Sequence, residues 1–135
     1  KATPVLERYM EAVGENGDAA KAAVIAKEVE ALELKSPQLL NEIAWVILTA
    51  DVVKHRDLNL ALAMAKRAVS SSAGQEAGII DTYARALFDS GKIPEAIAEQ
   101  QKAVALADDA ATKEELTVTL KRYQEKLAAK APSGL

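Results

Sequence analysis

The chain has no cysteine, and its 135 residues include one histidine, one tryptophan and one phenylalanine. Without cysteine there is no disulfide, no thiolate zinc site and no thiol nucleophile, and the redox compartment stays open because a cysteine-free fold suits either kind. His55 has no second imidazole or thiol with which to share a metal, and no Ser–Asp arrangement around it. An excess of basic charge is missing as well: 17 Lys and Arg are interspersed with 20 Asp and Glu, for a net charge of -3. Phosphate binding needs a concentrated basic face, so the balance argues against nucleic acid as a partner. No apolar run reaches the roughly 20 residues of a membrane span, and Lys1-Ala2-Thr3-Pro4 opens without a signal-peptide core. From the lack of an initiator Met, the expectation is a processed or excised piece. No cluster of titratable groups or cofactor motif converges, so the expectation is a protein that is not an enzyme and holds no cofactor.

Half of the residues are hydrophobic, alanine dominates, and Val and Ile fall at helical rather than alternating spacing. This is an all-α composition. Thr3-Pro4 predicts a cap and first turn, with Leu6, Tyr9, Met10 and Val13 on one face before Gly14 to Gly17 stop the helix. A second helix starts near Asp18 and buries Ala22, Ile25, Ala26, Val29 and Leu32. Ser36-Pro37 opens a longer one, to about Lys54, in which nearly every residue from Ile43 to Val53 is apolar. Asp57 caps the next, from Leu58 to about Ser70, with Leu62, Ala65 and Val69 inward. Another runs from Gln75 to Ser90, and Pro94 begins its partner, which ends near Ala107. Last, Thr112 and Glu115 form a capping box before the stripe Leu116, Leu120, Tyr123 and Leu127. The tail 131–135 should fray.

The segment 45–69 recurs as 80–104, an offset of 35 that carries Trp45 onto Ile80, Leu48 onto Tyr83, Val52 onto Leu87, Ala61 onto Ala96 and Ala68 onto Ala103. A helical repeat of that length indicates stacked helix pairs that bury their apolar faces against one another. The expected organisation is a single domain over 1–135, with repeats about 3–36, 42–75 and 77–110 and a capping helix about 112–130.

These positions resemble the tetratricopeptide repeat. The third repeat supplies Ile80, Tyr83, Ala84, Leu87, Gly91, Ala96, Gln100 and Ala103 at the family's signature places; the second supplies Trp45, Leu48, Thr49, Val52, Arg56, Ala61, Ala65 and Ala68. The first, Leu6, Tyr9, Met10, Val13, Gly17, Ala22, Ala26 and Val29, is weaker. Gln100 and Ala65 replace the usual aromatic and Arg56 replaces glycine. The resemblance implies a right-handed α–α superhelix of about three helix pairs, with Trp45 packed inside its own pair. From Leu40 to about Leu106 the chain also looks like the helical regions that follow thioredoxin-like domains in TlpA-type bacterial redoxins. That likeness implies a periplasmic or exported parent whose redox chemistry lies elsewhere.

His55-Arg56-Asp57-Leu58 spells the start of a kinase catalytic loop, but Leu62 stands where the loop needs Asn, so the reading is a helix–helix turn. Glu28, Glu30, Glu33 and Asp108-Asp109 match no calcium loop and read as solvated surface. By family resemblance, a partner groove is lined by Ile43, Val46, Ile47, Ala50 and Val53 of the second repeat and by Asp81, Arg85 and Phe88 of the third. The clamp with which chaperone-binding members hold a peptide carboxylate falls here on Glu7, Glu11, Ile47, Gly78 and Thr82, and is absent. The expected function is a protein–protein interaction or scaffold module. Its partner is a protein or peptide, an upstream thioredoxin-like domain or a second copy. The alternative is a structural spacer or self-association domain without a groove.

Overall fold

The computed structural model describes residues 2–130, and the tail 131–135 lies outside them. Seven helices, and no strand, are found among the described residues: α1 (Ala2–Val13), α2 (Ala19–Ala31), α3 (Pro37–Thr49), α4 (Leu58–Ser71), α5 (Ala77–Asp89), α6 (Ile93–Leu106) and α7 (Ala110–Lys130). None is long and apolar enough to cross a membrane. Helix packs on helix in three pairs, α1 with α2, α3 with α4 and α5 with α6; α4 also packs on α5, and α6 on α7.

Local chemistry sets most of the helix starts. Asp18 accepts a hydrogen bond from Ala20 N at 2.9 Å, Ser36 from Leu39 N at 3.2 Å and Asp57 from Leu60 N at 2.9 Å, so each satisfies an amide that the first turn leaves unpaired. α1 begins at Ala2, which puts Thr3 and Pro4 inside its first turn and removes Thr3 from the cap position. The predicted capping box is also displaced. Thr112 is the third residue of α7, and the cap is Asp109, which accepts from Thr112 N at 2.7 Å and from its hydroxyl at 2.9 Å. These bonds hold the Asp109 carboxyl below the usual carboxylate range. Two glycines are needed for shape. Gly91 leaves α5 at φ +84, a left-handed conformation that costs glycine little, and a Cβ on Gly17 would lie 1.9 Å from the Ala12 carbonyl oxygen.

Two arginines finish helices that have no glycine to do so. Arg56 donates to the carbonyls of Ile47 (2.7 Å) and Ala50 (2.8 Å), closing α3. Arg67, on α4, reaches across to Glu30, Leu32 and Leu34 carbonyls at 3.2, 2.9 and 3.3 Å, closing α2. A planar cation with several donors suits a cluster of unpaired carbonyls, where the helix end is also electronegative.

α3 stops at Thr49, a turn and more before the expected Lys54, because Ala50 turns to extended backbone (φ -68, ψ 132) and an eight-residue connection, 50–57, follows. The connection between α5 and α6 is three residues, 90–92. That difference of five shifts the repeat. α4 and α6 begin 35 residues apart (58 and 93), but α3 and α5 begin 40 apart (37 and 77). The second helix of each pair therefore keeps the predicted register: Ala22, Ala61 and Ala96 are buried at equivalent points, as are Ala26, Ala65 and Gln100, and Val29, Ala68 and Ala103. In the first helices the buried equivalents are Leu40 and Ile80, Ala44 and Ala84, Ile47 and Leu87. A slip of five residues turns a helix by about 140°. Trp45, expected inside its pair as the equivalent of Ile80, is instead 40% exposed, and Val52, expected as the equivalent of Leu87, is 63% exposed in the connection.

The core is continuous across α1 to α4 and includes Tyr9, Val13, Ile25, Val29, Leu40, Ile47, Leu60 and Met64; smaller clusters join α5, α6 and α7 through Ala84, Ala96 and Tyr123 and through Ile80, Ala103 and Leu116. α7 carries its stripe only partway. Leu116 and Tyr123 are buried, but Leu127 is exposed, as is every residue from Gln124 to Lys130.

Two expectations test this arrangement by urea unfolding. Leu40→Ala should cost about 2–5 kcal/mol by leaving a cavity, whereas Trp45→Ala should cost about 1 kcal/mol or less; equal losses would return Trp45 to the core. Arg67→Ala should cost about 1–3 kcal/mol, with Arg67→Lys recovering only part, because a single ammonium cannot serve three carbonyls in a plane.

Candidate functional site

The apolar strip of α3 faces α1 across a gap. The backbones of these two helices hardly approach each other. Leu6, Tyr9 and Met10 on one side and Ile43, Val46 and Ile47 on the other enclose a cavity of about 400 Å³, with Glu42 at its edge. Its walls are almost wholly carbon, and its volume lies within the range that holds small ligands or large side chains. Tyr9 is 1% exposed; burial and the nearby Asp57 carboxylate push its hydroxyl up to about 12, and that hydroxyl has no hydrogen-bond partner.

The sequence-predicted groove residues are divided by the fold. Ile43, Val46 and Ile47 come together at this cavity, though Ile47 is itself a core residue at 1% exposure. Val53 is core too, held in the 50–57 connection, and Ala50 is the C-cap of α3, with its amide on the Val46 carbonyl and its carbonyl on Arg56. Neither lines the cavity. Asp81, Arg85 and Phe88 sit on α5 and are engaged there: Asp81 accepts from Gln100 Nε2 at 2.9 Å, Arg85 Nε pairs with Asp89 at 3.0 Å, and Phe88 stacks on Tyr123 with ring centroids 4.3 Å apart. The first of these ties α5 to α6, the second lies within α5, and the third holds α7 against α5.

A second cavity, about 460 Å³, lies between α3 and α5 and is lined by Gln38, Asn41, Glu42, Glu76, Gly78 and Ile79. Glu42 borders both cavities, so the two are neighbours along one face of the stack. Trp45 is one turn from Glu42 and Asn41 on the exposed side of α3. The expected register placed Trp45 inside and so missed it as a surface residue. The signal that finds it is the length of the 50–57 connection.

His55 uses its backbone. Its amide and that of Lys54 donate to the Val13 carbonyl at 3.1 and 2.6 Å, and the residue borders a further cavity of about 520 Å³ with Arg56, Asp57 and Asn59. No group of three metal-binding side chains occurs among the described residues. Of the acidic residues weighed as an ion site, Glu28 pairs with Arg8 at 2.7 Å and Asp109 caps α7.

Gln100 is the other residue that composition did not single out for a role. Fully buried where the neighbouring repeats have alanine, it bridges Asp81 and the Leu116 carbonyl (3.1 Å), and its Oε1 is unpaired. Burial raises the Asp81 carboxyl above its ordinary value, partly opposed by the Gln100 hydrogen bond and by Arg85 and Arg122. A carboxyl raised in the folded state gives stability that is full below the ordinary 3.8 and lost as pH climbs through the raised value. Relative to Asp81→Asn, the protein should therefore lose stability with rising pH across the acid range and hold a constant difference above it. Urea midpoints for both proteins at several pH values measure this, and a wild type that gains stability relative to Asp81→Asn as pH rises would contradict it.

No protein-family model, no curated protein and no solved structure matches the chain.

Proposed function

We propose that the chain is a non-catalytic interaction module, a superhelical stack of three tetratricopeptide-like helix pairs closed by α7, which holds a protein segment on the face shared by α1, α3 and α5. The observation that carries this reading is the open apolar cavity between α1 and α3, whose edge residue Glu42 is one helical turn from a half-exposed Trp45. Carbon-lined concavities next to an exposed indole are energetically poor in water and good at receiving a side chain. The corrected register adds support for the repeat-like reading, since Leu40, Ile43, Ala44 and Ile47 now match Ile80, Tyr83, Ala84 and Leu87 in size pattern. It also moves the proposed groove positions of α3 to Gln38, Asn41, Glu42, Trp45, Leu48 and Thr49, of which Leu48 is buried. Catalysis is not part of the proposal: Asp81 and Tyr123 are near each other but belong to the packing of α5, α6 and α7, and Tyr9 on α1 and Tyr83 are raised chiefly by burial.

Panning a random peptide display library against the intact chain tests the proposal. Enriched peptides should bind the wild-type protein and lose at least tenfold in affinity with Val46→Glu, or with the milder Trp45→Ala, while both variants keep the helical circular dichroism of the parent. Failure to enrich any sequence, or binding indifferent to both substitutions, would leave the face a passive part of a structural spacer.

A further inference from the structure

The charge on this face says what kind of segment it takes, provided that the interaction reading above holds. α3 contains no Lys or Arg at all. The cations on α1 and α5 are Arg8 and Arg85, and each is paired, with Glu28 and Asp89 respectively. The acids are left over. Glu7, Glu11, Glu42 and Glu76 are exposed, and none has a side-chain hydrogen bond or ion pair among the described residues. Glu42 stands at the junction of the apolar cavity and the polar one, and Glu76 lies at the far side of the latter. At Gly78, which borders the polar cavity, no side chain or backbone lies within 4 Å of where a Cβ would be, so the floor there is open.

Trp45 completes the pattern. Its indole, three residues beyond Glu42 on the same helix, stands about 5–6 Å from it between Cβ atoms, which is the reach of a neighbouring pair on a helix surface. Among the described residues no cation lies over it; the one such contact is Arg122 over Tyr123. A Lys or Arg side chain laid on the indole face would meet the ring quadrupole and a carboxylate together.

We propose that this face binds a positively charged amphipathic peptide segment, which places a large apolar side chain in the cavity between α1 and α3 and an adjacent Lys or Arg over Trp45 against Glu42, with further basic residues running towards Glu76. The apolar anchor supplies most of the affinity. The acids set polarity and reject acidic segments, because a like charge at Glu42 would be brought against it without a counter-ion.

Trp45 is the chain's single tryptophan, so its emission reports occupancy directly. The probe is an amphipathic helical peptide with a leucine stripe flanked by lysines, titrated against the intact chain beside a twin with glutamate for each lysine. The lysine peptide should shift Trp45 emission to the blue, bind at least tenfold more tightly than the twin, weaken as salt is raised, and lose roughly five- to tenfold in affinity with Glu42→Gln, an exposed change that leaves the fold intact. Equal binding of both peptides, or a Glu42→Gln protein that binds the lysine peptide unchanged, overturns the charge assignment while the apolar groove stands. If neither peptide moves the Trp45 emission and no displayed sequence is enriched, the groove falls with it.

Discussion

Close approach of helices at alanine is the constraint on which the rest of the stack depends. Ala44, Ala61, Ala65, Ala68, Ala84, Ala96 and Ala103 are all wholly buried, and they sit where one helix crosses the next. A side chain of one carbon lets axes come near enough for the larger residues beside it to interdigitate, and it loses no rotamer freedom in doing so. These positions tolerate almost nothing larger without pushing two helices apart. Gln100 is the informative exception. It occupies an alanine position at the contact where α7 begins, and its extra length spans to Asp81 on one side and the Leu116 carbonyl on the other. A buried amide that ties two helices is more selective than packing alone, because a misplaced α7 would leave its donors unpaired in a dry place.

The same constraint explains what could be read from the chain. Small residues at crossings have a narrow choice, so the second helices of the three pairs repeat legibly through Ala22, Ala61 and Ala96, and the helix starts at Asp18, Pro37 and Asp57 follow from capping chemistry that is local by nature. α3 is different. Between Ile43 and Val53 nearly every residue is apolar, so hydrophobic spacing has no phase there and cannot say which face turns inward. An offset of 35 holds for the second helices but is 40 for the first, because of the eight-residue connection after Thr49, and that difference turns Trp45 outward and carries Val53 into the core. The arginine caps were illegible for another reason: Arg67 acts on carbonyls more than thirty residues earlier, and nothing local in the sequence marks such a contact.

Polar clamps at the ends of helices add to the packing of the core. The α1/α2 pair shares one buried cluster with α3 and α4 through Tyr9, Val13, Ile25, Val29, Leu40 and Ile47. It is fixed at one end by the amides of Lys54 and His55 on the Val13 carbonyl, which satisfy the C-terminus of α1, and at the other by Arg67 on the last carbonyls of α2. Hydrogen bonds to otherwise unpaired helix ends are directional, and those made by a guanidinium are among the stronger ones. The long 50–57 connection is what brings Lys54 and His55 to α1, so the insertion that shifts the repeat also supplies the clamp.

A junction held at its ends is free to stay open in the middle. Leu6, Met10, Ile43 and Val46 pack on the core along one side and line the concavity with the other, between the Val13 bonds at one end of the α1/α2 pair and the Arg67 bonds at its other end. The apolar surface left uncovered there is a standing cost in water, and burying it is the driving force available to a bound segment. On the proposed reading the acids at its edge select the segment, since neither Glu42 nor Glu76 has a side-chain partner among the described residues.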